Sequence, residues 1–165
     1  MLVLRTRLWI RIFISLKPER YILLVDDDPD EHLLFEDALK ELKNAPRLSY
    51  ARDGQQLMHF LNDDQAELPA IIFLDLNMPR MNGFECLQEI RKSSKLNKIP
   101  VVIFSTTSQT QAIDKVYEQG ANYYIRKPNT FAMLKEVIDR MLEIDWSNKN
   151  NDAHPSKENF IVNPS

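Results

Sequence analysis

With 165 residues, 44% of them hydrophobic and 27% charged, the chain is long enough to enclose one substantial core, and nothing suggests a second. A formal net charge of −3 removes any global electrostatic attraction to nucleic acid, so no nucleic-acid partner is expected. The single cysteine, Cys86, excludes an internal disulfide and fits a reducing cytoplasm. Beside Leu87 and Ile90 in a helical pattern it reads as a small buried hydrophobe.

Residues 1–16 are apolar but interrupted by Arg5, Arg7 and Arg11, so no run approaches the roughly 20 apolar residues that span a bilayer. Stable membrane insertion is therefore not expected. The charges are not grouped ahead of an apolar core, nor does the segment end in small residues, as a signal peptide would. Three readings fit residues 1–17: a basic membrane-surface segment, an extra edge strand, or an extension upstream of a true start near Leu16, Lys17 and Pro18. The last is favoured because a compact domain, spanning 18–146, begins so cleanly at Tyr21.

From Tyr21 onward apolar runs alternate with helical patterns, the signature of repeated β-α units and a parallel sheet. A first strand over 21–25 is apolar throughout, as expected where helices cover both faces. Asp28 can cap a helix with Pro29 in its first turn and Phe35, Ala38, Leu39 and Leu42 at helical spacing. A short strand over 48–51 leads through Asp53 and Gly54 to a helix carrying Leu57, Met58 and Leu61. The third strand covers 70–74, and Gly83 opens a helix with Phe84, Leu87 and Ile90 inward. A fourth strand over 100–104 precedes a helix over 108–119, ended by Gly120. A fifth strand over 122–125 precedes a helix capped by Thr130, with Phe131, Leu134, Val137, Ile138 and Met141 inward. Residues 147–165 are polar and aperiodic and read as a disordered tail. Right-handed crossovers make the five units a doubly wound α/β sheet, and the order 2-1-3-4-5 sets strands one, three and four side by side.

In that order the carboxyl ends of strands one, three and four bring Asp26, Asp27, Asp75 and Ser105 to one crevice, where open α/β sheets carry reactive groups. So many carboxylates repel one another unless a cation sits among them, and oxygen-only ligands select a hard ion such as Mg2+. Asp75 then reads as a nucleophile able to form an aspartyl phosphate. Lys127, after the fifth strand, can supply a point positive charge, and the Ser105 hydroxyl can donate to a phosphoryl oxygen. Taken singly, each residue is equally a turn former, a helix cap or a surface charge. Their joint placement at strand ends carries the inference.

Over about 21–144 the chain resembles the response regulator receiver domain of bacterial two-component signalling, with a flavodoxin-like (CheY-like) fold. The acidic pair after the first strand matches Asp26 and Asp27, and the phosphorylated aspartate ending the third matches Asp75. The resemblance implies that Asn77 offers its backbone carbonyl to the metal, and Pro79 and Gly83 match the loop after the phosphosite. It implies further that Ser105 is the switch hydroxyl, that Tyr124 is an aromatic switch turning inward on activation, and that the Lys127–Pro128 bond is cis. Thr106 departs from the small residue usual after the switch hydroxyl and should slow small phosphodonors; Asn77 and Thr107, flanking the phosphoryl group and neither acidic nor basic, should not shorten its lifetime.

The expected partners are a sensor histidine kinase or histidine phosphotransfer protein and a downstream target protein, because His32, His59 and His154 read as surface or partly packed residues rather than donors. No output module fits in residues 146–165, so the signal would leave through the fourth helix, fifth strand and last helix. The chain is then a signalling domain that catalyses its own phosphorylation and dephosphorylation, not a turnover enzyme, and the run Thr106-Thr107-Ser108 resembles the phytochrome-associated group. Two other readings stand beside this one. A haloacid dehalogenase-type phosphatase needs a second aspartate where Asn77 stands, and a phosphorylation-independent binding module would have no need to keep the whole site.

Overall fold

The computed structural model describes residues 21–147 and 155–164. The expectations for residues 1–17 and for His154 lie outside the described residues. Among the described residues six parallel strands form one sheet in the order 2-1-3-4-5-6. They are β1 (Tyr21–Val25), β2 (Arg47–Ala51), β3 (Ile71–Leu74), β4 (Val101–Ser105), β5 (Tyr123–Arg126) and β6 (Ile161–Val162). The helices are α1 (Pro29–Lys40), α2 (Gly54–Asn62), α3 (Gly83–Lys92), α4 (Thr110–Glu118) and α5 (Phe131–Glu143), with a short 3-10 turn at Lys157–Asn159.

Strand alternation sorts the core into two layers. Leu23, Val25, Ile72, Leu74, Val101, Ile103 and Tyr124 face Leu57 and Leu61 of α2, Leu87 and Ile90 of α3, and Ile113 and Val116 of α4. Ile22, Leu24, Ile71, Phe73, Val102, Phe104 and Ile125 face Phe35 and Leu39 of α1 and Leu134, Val137, Ile138 and Met141 of α5. Cys86 is fully buried, and burial pushes its thiol up to about 12, which keeps it protonated and inert.

Helix starts follow local chemistry. The Asp28 side chain accepts from the Asp30 N–H and caps α1, with Pro29 at its first position. Asp53 caps α2, Thr130 caps α5, and Asn82 with Glu85 forms a reciprocal capping box on α3. α4 begins at Thr110 rather than 108, with Gln109 at its cap position making no side-chain bond.

The expected order 2-1-3-4-5 holds, and among the described residues a sixth strand extends it at the β5 edge. Residues 155–164, expected to lack structure, hold the 3-10 turn and β6, which pairs parallel to β5 with Tyr124 opposite Ile161 and Ile125 opposite Val162. The physical reason is the edge: β5 presents an unpaired row of backbone groups, and Phe160, 1% exposed, gains a buried place beside it. Among the described residues no helix is long and apolar enough to cross a membrane.

Candidate functional site

The backbone ladder sets the site, because Asp26, Asp75 and Lys127 are each the first residue past a strand end and are still held by a neighbouring strand, while Ser105 is the last residue of β4. Asp26 N–H donates to the Ala51 carbonyl at 3.0 Å, Asp75 N–H to the Val25 carbonyl at 2.9 Å, and Lys127 N–H to the Ser105 carbonyl at 3.0 Å. The carboxylates therefore stand on rigid strand ends rather than on free loops. One oxygen from each of Asp26, Asp27 and Asp75 lies within 4.8 Å of the others. Asp26 and Asp75 are buried and Asp27 is exposed, so the cluster opens to solvent on one side.

Lys127 supplies the counter-charge. Its Nζ donates to Asp26 Oδ2 at 2.6 Å, lies 4.0 Å from Asp75 Oδ2, and sits 5.6 Å over the Phe104 ring. Burial by itself would lower the Lys127 pKa, but the hydrogen bond it donates to Asp26 and the fields of Asp75 and Asp26 prevail and raise it. The Asp75 carboxyl is raised by burial, with Lys127 and the Ser105 hydroxyl pulling the other way and Asp26 adding to the rise. Asp75 Oδ1 also accepts from the Leu76 N–H at 2.8 Å, which aims the carboxylate along the loop. At the start of α1, burial raises the Glu31 carboxyl, and Lys127 opposes the shift.

Ser105 is completely buried at the end of β4. Its Oγ lies 3.4 Å from Thr107 Oγ1, and Asn77 Nδ2 donates to that same threonine oxygen at 3.1 Å, so Thr107 bridges the loops after β3 and β4. Tyr124 is also fully buried, and its hydroxyl donates to the Thr107 carbonyl at 2.8 Å. Burial raises its pKa, so the phenol stays neutral and donates. Thr106 is exposed beside the pair. All the sequence-predicted residues thus gather at one end of the sheet.

Two expectations are revised. No peptide bond among the described residues is cis, so Lys127–Pro128 is trans, the form an X–Pro bond favours by about 0.5–1 kcal/mol. His32, expected to be a surface or partly packed residue, is buried: it is 7% exposed, its Nε2 donates to the Asp26 carbonyl at 2.7 Å, and its ring stacks on Tyr50 at 4.8 Å. It shares a face with Phe35 and Leu39, at helical spacing, and that spacing was the available signal. Asp53 also does more than form a turn, pairing with Arg80 of the loop after β3, a residue with a positive φ of 67°. The Gln56 N–H and then Arg80 hold the Asp53 carboxyl below its usual range.

The donor set fits a hard divalent cation: carboxylate oxygens only, close together, with one ammonium against three acids. A family model for the response regulator receiver domain matches residues 22–139. The chain is 32% identical over 125 residues to the response regulator Rcp1 of Synechocystis sp., covering 73% of this chain and 85% of that protein. It is 30% identical over 138 residues to the probable methanogenesis regulatory protein FilR2 of Methanothrix harundinacea, covering 82% and 88%. Among solved structures, the phosphorylated cyanobacterial phytochrome response regulator RcpA superposes with a TM-score of 0.72 at 30% identity, covering 84% of this chain and all of that one. The Mn2+-bound form of Rcp1 superposes with a TM-score of 0.71, at 32% identity and covering 75% of this chain and 95% of that one. The chain belongs to the response regulator receiver family of two-component signalling, and it shares the CheY-like fold of those relatives. The dehalogenase-type phosphatase reading falls away with that membership.

Proposed function

We propose that this receiver accepts a phosphoryl group on Asp75 from a histidine kinase or histidine phosphotransfer protein, in the cytoplasm and with Mg2+, and signals to a target protein through α4, β5 and α5. The observation that carries the reading is the convergence of Asp26, Asp27, Asp75, Lys127 and Ser105 at one sheet end. Two relatives support it, RcpA having been solved in a phosphorylated form and Rcp1 in a Mn2+-bound form. Asp26, Asp27, Asp75 and the Asn77 carbonyl would hold the ion, which when bound neutralises charge on the transferring group.

The chain's own residues do the rest. An Asp75 carboxylate oxygen attacks phosphorus as the N–P bond of the phosphohistidine breaks, and the imidazole leaves with its electron pair and is then protonated. Lys127, freed from part of its bond to Asp26, turns its charge toward the phosphoryl oxygens. Ser105 donates to one of those oxygens, drawing the start of the loop after β4 toward Asp75. That movement disturbs Thr107, which both Asn77 and Tyr124 hold, and so reaches the surface of α4 and β5. The device is a two-state packing switch rather than a turnover site.

Thr106 stands beside the switch hydroxyl at the mouth of the crevice and crowds the incoming group. Thr106→Ala is expected to accelerate phosphorylation by acetyl phosphate by about threefold to tenfold, roughly 0.7–1.4 kcal/mol of barrier. Borohydride trapping with peptide mapping should place the label on Asp75 in both proteins. Label on another residue contradicts the site, and equal rates contradict the role of Thr106.

A further inference from the structure

The outer edge of β5 is occupied by the chain's own C-terminal segment, and that segment touches the candidate switch residue directly. Tyr124 N–H donates to the Phe160 carbonyl at 2.9 Å. The Phe160 ring meets Tyr117 of α4 edge-on at 5.0 Å and lies 6.2 Å from the Tyr124 ring. Phe160 joins the core layer of α2, α3 and α4, whereas Val162, 3% exposed, joins that of α1 and α5. Two polar ties anchor the segment on either side of β5: Lys157 Nζ lies 2.9 Å from Asp114 Oδ1 on α4, and Arg140 of α5 donates to the Asn163 carbonyl at 2.8 Å.

Tyr124 is inward here, with its hydroxyl on the Thr107 carbonyl and its edge flank covered by Phe160. Alone at the sheet edge, the ring would have water on that flank and room to swing out. We propose that residues 155–164 are an intramolecular clamp that holds Tyr124 inward, so that tail docking and phosphorylation of Asp75 reinforce each other. The clamp rests on the phosphoacceptor reading above, in which Asp75 and Tyr124 are coupled through Ser105 and Thr107. By linkage, whatever favours the inward ring favours the docked tail, and the docked tail tightens the site's hold on a phosphoryl group by the same factor. The surface offered to a target then includes the tail itself, lying across β5 from α4 to α5.

The test uses the full-length chain, with beryllofluoride and Mg2+ as the phosphoryl mimic, and reads beryllofluoride affinity together with hydrogen exchange of the Tyr124 amide. Two variants release the tail from opposite faces, Phe160→Ala against Tyr124 and Val162→Asp against the α5 layer. Both are expected to speed exchange at Tyr124 about tenfold or more and to weaken beryllofluoride binding about fivefold or more, with Mg2+ affinity unchanged. In the wild type, beryllofluoride should slow exchange at Tyr124. Faster exchange with undiminished beryllofluoride affinity in both variants overturns the clamp and leaves the phosphoacceptor reading standing. A wild-type chain that binds no beryllofluoride overturns the phosphoacceptor reading, and the coupling with it. Protection of the Tyr124 amide that rises with protein concentration places the tail on a second copy and overturns an intramolecular clamp.

Discussion

Lys127→Met destabilises the metal-free protein by about 3–5 kcal/mol, the scale of leaving a buried charge without its partner. Asp26 is 1% exposed, and its nearest counter-charge is the Lys127 ammonium at 2.6 Å; the same group lies 4.0 Å from the buried Asp75. Methionine keeps an apolar stem of similar length and removes the ammonium, with its place 5.6 Å over the Phe104 ring, so lost packing contributes little. The sign with pH follows from the raised Lys127 pKa: its stabilisation is present in full below the ordinary lysine range and is lost as pH rises through the higher folded-state value. A divalent cation substitutes for the missing charge, and at a hundredfold excess over Kd bound ligand adds about 2.7 kcal/mol. Urea unfolding in EDTA and in Mg2+ reads both effects. The variant should gain more from Mg2+ than the wild type, because Lys127 no longer repels the ion. A loss below about 1 kcal/mol in EDTA means that solvent already screens the carboxylates.

Gly83→Ala is expected to cost about 3 kcal/mol or more and to slow phosphoryl uptake, through backbone rather than side chain. A Cβ on Gly83 falls 2.2 Å from the Asp75 carbonyl oxygen, 2.8 Å from Leu76 Cα and 3.0 Å from the Asp75 carbonyl carbon. None of these atoms can rotate away. The first turn of α3 rests on the loop after β3, with Gly83 N–H donating to the Leu76 carbonyl at 3.1 Å. Relieving the clash therefore displaces either the helix or the residue that bears the candidate nucleophile. Chemical denaturation with acetyl phosphate kinetics on the same sample separates the outcomes: unchanged stability contradicts the close approach, and unchanged kinetics contradicts its link to Asp75.

The five central β-α units were legible because each strand is a short apolar run ended by a polar residue and each helix begins at a recognisable cap. The placement of the candidate site was legible for the same reason: Asp26, Asp75, Ser105 and Lys127 stand where strands end, and the strand order brings the ends together. β6 was not legible, since Ile161 and Val162 are a two-residue apolar run behind a long polar stretch. Their strand exists because β5 has an open edge and Tyr117 and Tyr124 leave a slot for Phe160, facts that belong to other parts of the chain. His32 was misread because a titratable side chain on an apolar helix face finds its carbonyl acceptor only in three dimensions. The packing of Phe160 against Tyr124 is likewise invisible until β6 is placed.

Intact-mass analysis after incubation with acetyl phosphate and Mg2+, run beside Asp75→Ala and an EDTA control, tests the phosphoacceptor assignment most directly. A gain of one phosphoryl group is expected in the wild type, absent from the variant and absent in EDTA. A gain that persists in Asp75→Ala, or that ignores EDTA, contradicts it.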